Sequence, residues 1–372
     1  MRVLVVNAGS SSLKLSALGP DDATIFDQTV PRTRGEADAP ALRAALDSVP
    51  DVDAVGHRVV HGGAIFERAV VLDARREREL HELADLAPLH NAPALAAVAA
   101  TQAWRPEIPQ VACFDTEFHT TMPAAATQYA LPQEWRDWGL RRFGFHGLSH
   151  AYATRRAAHV LGRPPEDLRL VSAHLGAGAS LAAVAHGRSV DTTMGFTPLE
   201  GLVMATRSGS IDPGALLWVM RHRALSVDQV EEVLERGSGL LGLSGTSADM
   251  RAVITAADDG DARAALAVDV YGHRLRALVA AMVAAMDGID GLVFTGGVGE
   301  GSARVRRDAC AGLGFLGIRM DEVLNDAPVD DPGSGSDRVV SPPGASPAVV
   351  VVHAREDLEI ARQVRSVVGA RR

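Results

Sequence analysis

The chain opens on the apolar run Val3-Leu4-Val5-Val6, passes through Asn7-Ala8-Gly9-Ser10-Ser11-Ser12, and resumes an apolar pattern from Leu13 to Leu18. Two apolar runs about a small-residue turn predict a β-hairpin. The same pattern returns downstream as Leu170 to Leu175, the turn Gly176-Ala177-Gly178-Ala179-Ser180, and Leu181 to Val184. Aligning Ser12-Leu13 with Ser180-Leu181 superposes the two units 168 positions apart. That period is far too long for a solenoid. It predicts a duplicated domain whose halves meet near residue 150.

Three further short apolar segments, Gln110 to Phe114, Gly291 to Thr295 and Ala348 to Val352, predict strands that end in polar or Gly-rich turns. Arg355 to Val368 carries Leu358, Ile360, Ala361, Val364 and Val367 at helical spacing, with Glu356 and Asp357 in the first turn, where the helix dipole favours acids. Tyr271 to Met286 predicts a second strong helix, and Asp326 to Pro347, rich in Pro, Gly, Ser and Asp, predicts a surface loop. Strands mixed with helices indicate an α/β architecture, and 372 residues suit two domains.

Composition narrows the function classes. Hydrophobic residues make up 47% and charged residues 22%, an ordinary globular balance. A net charge of −9 without a basic stripe argues against a nucleic-acid partner or membrane-surface binding. Cys113 and Cys310 are too few for a disulfide framework, and no apolar run is long enough to cross a bilayer. A cytoplasmic protein is the expectation.

Chemistry concentrates in a few places. Small residues from Asn7 to Lys14 let backbone N–H groups approach an anion. Asn7 adds a neutral oxygen ligand, and Lys14, the only lysine in the chain, shares a strand face with Ser12. The turn lacks the Walker A pattern, since no Gly directly precedes Lys14. Gly176-Ala177-Gly178 and Gly296-Gly297-Val298-Gly299-Glu300-Gly301 also follow strands. Neither is a dinucleotide fingerprint, and each alone reads as a tight turn, but three such turns together suggest a polyphosphate cradle. Arg58 lies within an apolar strand pattern and Arg207 in a small-residue loop; each needs a carboxylate or phosphate partner, an internal ion pair being the alternative. His90 lies in Ala87-Pro88-Leu89-His90-Asn91 and His146 in Arg142-Phe143-Gly144-Phe145-His146-Gly147-Leu148-Ser149-His150; a lone His is usually a hydrogen-bonded structural residue, and neither HExxH nor a Cys/His cluster points to zinc. Asp115 ends one strand and Glu356 follows another; either caps a helix or serves as a hard oxygen ligand for Mg²⁺.

Asn7 to Lys14, His57 to Gly63, Phe114 to His119, Gly144 to His150 and Met194-Gly195-Phe196-Thr197-Pro198-Leu199-Glu200-Gly201 resemble, in order and over nearly the whole chain, the acetate kinase family. The resemblance implies an actin-like fold of duplicated ribonuclease-H-like domains flanking a central cleft. Residues 1–148, joined by the returning helix 358–372, would form one domain and residues 149–357 the other. It also implies Mg²⁺-dependent (or Mn²⁺-dependent) transfer of the γ-phosphoryl of ATP to acetate, giving acetyl phosphate and ADP, by a homodimer. Arg58 would hold the acetate carboxylate, with Val60, Leu89, Phe145 and Pro198 around its methyl group. Arg207 and His146 would stabilise the transferring phosphoryl, with His90 assisting and Asp115 in the essential acidic position. Asn7 and Glu356 would bind the metal. Ser12, Lys14, His174, Leu175, Gly176, Ala177, Gly178, Asp249, Met250, Arg251, Gly297, Val298, Gly299, Glu300 and Gly301 would receive the nucleotide. The chain departs from the family at Ala177, Gly301 and Arg355, where Asn is usual. Alternatives are a propionate or butyrate kinase of the same family, a non-catalytic nucleotide-binding module of the same fold, and a dehydrogenase, the last disfavoured by the missing fingerprint.

Overall fold

The run Val3 to Val6 sends alternate side chains into two separate buried layers. Leu4 and Val6 join Leu13, Leu15, Leu42, Leu46 and Ala97, whereas Val3 and Val5 join Ile360, Ala361 and Val364. A strand covered on both faces must be apolar at every position, which explains the unbroken run. The computed structural model describes residues 1–9, 12–33, 36–83, 88–327 and 337–370, with the side chains of 32–33, 36–37 and 88–90 also outside the description.

The chain divides into two compact units, Met1–Thr120 with Phe145–Tyr152 and Arg355–Arg372, and Thr121–Gly144 with Ala153–Ala354. Residues 121–144, expected in the first domain, belong to the second unit for a hydrogen-bonding reason. Thr121 Oγ1 donates to the Ser189 carbonyl at 2.8 Å. Arg142 Nη1 donates to the Thr193 and Met194 carbonyls at 3.1 and 2.9 Å.

In the first unit, strands Val3–Ala8 (β1), Ser12–Leu18 (β2), Thr24–Thr33 (β3), Glu36–Ala37 (β4), Ala54–Val59 (β5), Val70–Val71 (β6) and Gln110–Phe114 (β7) form a sheet in the order β4-β3-β2-β1-β5-β7-β6. In the second, Arg169–Leu175 (β8), Ala179–Ala185 (β9), Arg188–Thr192 (β10), Gly291–Thr295 (β11), Arg338–Val339 (β12) and Ala348–Val351 (β13) take the order β10-β9-β8-β11-β13-β12. Each sheet contains a three-stranded antiparallel meander continued by two parallel strands, with β4 and β6 added antiparallel at the edges of the first and β12 at the edge of the second, so the hairpin repeat seen in the sequence belongs to a repeated sheet plan. The fold is α/β with duplicated ribonuclease-H-like halves.

Three elements differ from expectation. Arg338–Val339 pairs antiparallel with Val350–Val351, so the segment read as a surface loop contains a strand, and its residues 328–336 lie outside the described residues. The second helix spans Ala262–Ala285 rather than starting at Tyr271, because Asp261 caps the amides of Arg263 and Ala264, and Ala264, Ala267 and Val268 extend its buried stripe. Gly296–Gly301, read as a turn, is a short helix.

The C-terminal helix, Glu356–Gly369, lies against the first sheet where β5 has no side chain. A Cβ on Gly56 would sit 2.6 Å from the Cγ2 atoms of both Ile360 and Val364. We expect Gly56→Ala to cost about 1–3 kcal/mol of stability through overpacking, read as a lowered urea midpoint; an unchanged midpoint would show the helix free to shift. On the same strand, His57 is buried against Gln110 Oε1 at 2.8 Å, and burial lowers its pKa from 6.5 to about 4. The unfolded chain therefore binds a proton that the folded one refuses. Stability is full above pH 6.5 and falls as the pH drops from 6.5 towards 4, by up to about 3 kcal/mol from this group. Denaturant titrations of wild type and His57→Gln at pH 7 and 5 should show a shallower loss in the variant, and equal losses would remove His57 as the cause.

Candidate active site

Parallel strands bring their C-terminal ends to one edge of a sheet, where α/β proteins place ligands. In the first unit the register sets Val6 beside His57 and Arg58 beside Cys113. Asn7, Arg58 and Asp115 therefore emerge side by side from β1, β5 and the end of β7. Arg58 Nε donates to Asp115 Oδ1 at 3.0 Å and Nη2 to Oδ2 at 2.7 Å, while Nη1 donates to Asn7 Oδ1 at 3.2 Å. Glu356, at the start of the C-terminal helix, accepts from Asn7 Nδ2 at 3.3 Å and lies 3.6 Å from Arg58 Nη1. Asp115 is 1% exposed and the Arg58 side chain 16%. Burial opposes the charge on Arg58, but the field of Asp115 and then Glu356 outweighs it and raises its pKa. Burial likewise pushes the Asp115 carboxyl up, against the pull of Arg58 and of the His146 amide.

His146 reaches this cluster by an unusual backbone route. Its φ is +56°, a left-handed conformation that a non-glycine residue rarely adopts and that is often found at functional sites. Gly147 follows, and its N–H donates to the Asp115 carbonyl at 2.8 Å. A Cβ there would collide with that carbonyl, so only glycine permits the approach. Val60 and Phe145 are buried nearby in sequence, Phe145 edge-on to His61 with ring centroids 5.2 Å apart. The side chains of Leu89 and His90 lie outside the described residues; their backbone starts the helix Pro88–Trp104. Ser10 and Ser11 also lie outside. Lys14 pairs with Asp27 on β3 at 3.1 Å, half-exposed, on the face it shares with Ser12.

In the second unit Arg207 has a carboxylate partner too: Nε donates to Glu235 Oε2 at 2.9 Å and Nη1 to the Pro198 carbonyl at 3.3 Å. Pro198 belongs to the run 194–201, which is locked internally. Glu200 accepts from Arg142 Nη2 at 2.9 Å and from the Tyr129 hydroxyl at 2.7 Å, and that hydroxyl accepts from the Phe196 amide at 3.0 Å. A Cβ on Gly195 would strike both the Glu200 carboxylate and the Tyr129 hydroxyl.

The two Gly-rich segments of this unit leave adjacent parallel strands, with Thr295 of β11 opposite His174 of β8. Leu175 is fully buried, whereas Ala177 is exposed and its carbonyl accepts from the Ala205 amide at 3.0 Å. Gly176 N–H donates to the Gly178 carbonyl at 3.0 Å. Gly296 (φ +80°) sits so close to Leu175 that a Cβ would lie 2.8 Å from its carbonyl oxygen, but Cβ atoms on Gly297 and Gly301 would meet nothing within 4 Å. Val298 and Gly299 complete that segment. Asp249 caps the helix Met250–Asp258 and binds Arg251 at 2.8 Å on the surface, which lowers the Asp249 pKa to about 2; Met250 is buried.

Sequence reasoning missed Glu235, the partner of Arg207, and Arg306. Arg306 lies in the helix Ala303–Cys310 among the buried Val305, Ala309 and Cys310. An arginine inside an apolar helical stripe was the available signal.

Residues 39–362 match the Acetokinase family. The chain is 45% identical over 400 residues to "Acetate kinase" of Synechococcus sp., covering 97% of this chain and 98% of the relative, and 44% identical over 405 residues to "Acetate kinase" of Streptomyces griseus, covering 100% and 97%. The crystal structure of Porphyromonas gingivalis acetate kinase superposes with a TM-score of 0.89 at 36% identity over 99% of both chains. A propionate kinase from Francisella tularensis gives 0.88 at 34% identity over 97% and 98%. A family match over most of the chain, with relatives of this identity and coverage, shows that the chain belongs to the acetokinase family.

Proposed function

We propose that this protein transfers the γ-phosphoryl group of ATP reversibly to acetate, giving acetyl phosphate and ADP. The observation that carries this is the cluster of Asn7, Arg58, Asp115 and Glu356 at adjoining strand ends, in a chain that resembles acetate kinases from end to end.

The chemistry asks one anion to attack another, so charge and positioning are the main tools. The described hydrogen bonds of Arg58 engage three of its five N–H groups, with Glu356 a further 3.6 Å from Nη1, and the rest of the guanidinium is suited to a carboxylate. Asp115 holds the guanidinium plane fixed, so a bound acid meets a preset fork rather than a mobile side chain. Val60 and Phe145 would wall the methyl group, a role the resemblance also gives to Leu89 and Pro198. A wall of that kind separates acids differing by one methylene by only about 1–3 kcal/mol, so Val at position 60, rather than something smaller, favours acetate over propionate without excluding the latter. Arg207, held by Glu235 and the Pro198 carbonyl, and His146 meet the charge spread over the transferring phosphoryl, with His90 assisting. The nucleotide lies along His174 to Gly178, Asp249 to Arg251 and the Gly296–Gly301 segment, with Ser12 and Lys14 towards its phosphates.

Two carboxylates against one guanidinium leave the first cluster with one net negative charge, unfavourable for an incoming anion. Among the described residues no three His, Cys, Asp or Glu side chains converge as a metal site. The oxygen donors of Asn7 and Glu356 nevertheless suit Mg²⁺, which commonly takes one or two protein oxygens and fills its shell with water and phosphate. Asn7 and Glu356 would hold it, and when bound it neutralises phosphate charge; Mn²⁺ would substitute. Cys113 and Cys310 are both free and buried, in keeping with a cytoplasmic enzyme, and we expect a homodimer. Among the described residues no helix is long and apolar enough to cross a membrane.

Hydroxamate trapping of acetyl phosphate from acetate and MgATP tests the proposal; magnesium-replete protein that gives no acyl phosphate with any short-chain acid would overturn it. Arg58→Ala should raise the KM for acetate at least tenfold, with thermal melts checking for the stress of an unpaired Asp115. Arg207→Ala should instead depress kcat by about a hundredfold or more, the scale of losing one transition-state donor. If the two variants lose KM and kcat in the opposite pattern, the roles are exchanged.

A further inference from the structure

The Gly296–Gly301 helix ought not to form by propensity. Four of its six residues are glycine, the poorest helix former after proline. Two charged side chains hold it instead. Glu300 Oε1 accepts from the Gly296 amide at 2.8 Å, closing the first turn of its own helix, and from the Ala354 amide at 3.0 Å. Its second oxygen meets His353 Nδ1 at 2.6 Å. Arg306, 1% exposed, sends Nη1 to the carbonyls of Gly299 and Glu300 at 2.9 and 2.7 Å. Its Nε and Nη2 reach the side-chain and backbone oxygens of the buried Asn325 at 2.8 and 2.9 Å.

Arg306 thus has carbonyl and amide oxygens, not a carboxylate, in these bonds. Burial lowers its pKa to about 10, which still leaves it charged at neutral pH. A desolvated cation opposite the last carbonyls of a helix complements the negative end of its dipole. Both oxygens of Glu300 are likewise taken up within the protein, two bonds by amides and one by an imidazole.

We propose that Glu300 and Arg306 are positioning residues that clamp the two ends of the Gly296–Gly301 segment and so preform its backbone for the nucleotide. Glu300 then acts through the main chain and not by touching the nucleotide, and its bonds to His353 and Ala354 anchor the segment to the stretch just ahead of Glu356. The inference rests on the nucleotide assignment of this segment. It also explains how Gly297 and Gly301 can leave open space beside them: rigidity comes from the two charged side chains, so no side chain is needed at those positions.

The test is calorimetric titration with MgADP, together with KM values for ATP and acetate, on wild type, Glu300→Ala, Glu300→Gln and Arg306→Lys. Glu300→Ala should weaken MgADP binding at least tenfold while the acetate KM stays within about twofold. Glu300→Gln should recover most of the affinity, because its amide oxygen still accepts from Gly296 and Ala354. Arg306→Lys, which keeps the charge but loses the fork, should fall between wild type and Glu300→Ala, with melting curves confirming that each variant is folded. Unchanged affinity in Glu300→Ala would overturn the clamp. So would Glu300→Gln as weak as Glu300→Ala, which would mean that the charge itself acts on the ligand, or ATP and acetate KM values rising together. Wild type that binds MgADP but phosphorylates no acid would refute the acid chemistry alone, and the same titrations would still decide the clamp. Wild type that binds no MgADP would end both.

Discussion

The first unit depends on one buried ion pair, Arg58 with Asp115. A carboxylate at 1% exposure is tolerable only with its charge met, and stripping a partner from such a pair typically costs about 3–5 kcal/mol. Much of the surrounding geometry serves that need. The strand register brings Arg58 level with Cys113, one strand from the residue that follows Phe114. Gly147 lets the chain close on the Asp115 carbonyl, and His146 accepts a left-handed backbone so that its amide also faces the carboxylate. The pair is bidentate, so it fixes the guanidinium plane as well as its charge. Rigidity of this guanidinium is thereby built into the core rather than left to a surface side chain.

A second theme is that residues most diagnostic in the sequence act mainly on other protein atoms. In the run 194–201, Gly195 leaves room for Glu200 and Tyr129, and Glu200 is consumed by Arg142 and the Tyr129 hydroxyl. Pro198 offers Arg207 a carbonyl. Glu300 and Arg306 repeat the pattern at the other Gly-rich segment, where charged side chains hold a backbone that glycine alone would leave loose. Motifs of this kind specify shape first and contact second.

Elements with strong local patterns were legible before the structure. The paired hairpins, the strand Gln110–Phe114 and the C-terminal helix all follow from apolar spacing that local sequence carries directly. Arg58 and Arg207 could be singled out because a guanidinium in an apolar or small-residue setting demands an anion, but which acid each would pair with could not. Asp115 lies 57 positions from Arg58, and Glu235 lies 28 from Arg207. Such pairings are set by which strands neighbour one another, a non-local fact. The helix Gly296–Gly301 was hidden for a related reason, since its propensity opposes helix and its stabilisers sit as far away as Ala354. The two-residue strand Arg338–Val339 is too short to leave a periodicity and exists only because Val350–Val351 offers it an edge. Residues 121–144 likewise declare their allegiance through hydrogen bonds to 189–195 and not through composition.

The C-terminal helix packs Ile360, Ala361 and Val364 onto Val3, Val5 and Gly56, the sheet face built from the earliest part of the chain. On a ribosome those first strands emerge more than three hundred residues before the helix that covers them. Until it is made, their apolar face lacks the cover that Ile360, Ala361 and Val364 supply. The constellation around Arg58 also lacks Glu356 until that helix is made, so a chain cut just before it would carry Asn7, Arg58 and Asp115 yet miss the fourth member. Because Glu356 opens that helix, the segment that covers the sheet is also the one that completes the cluster.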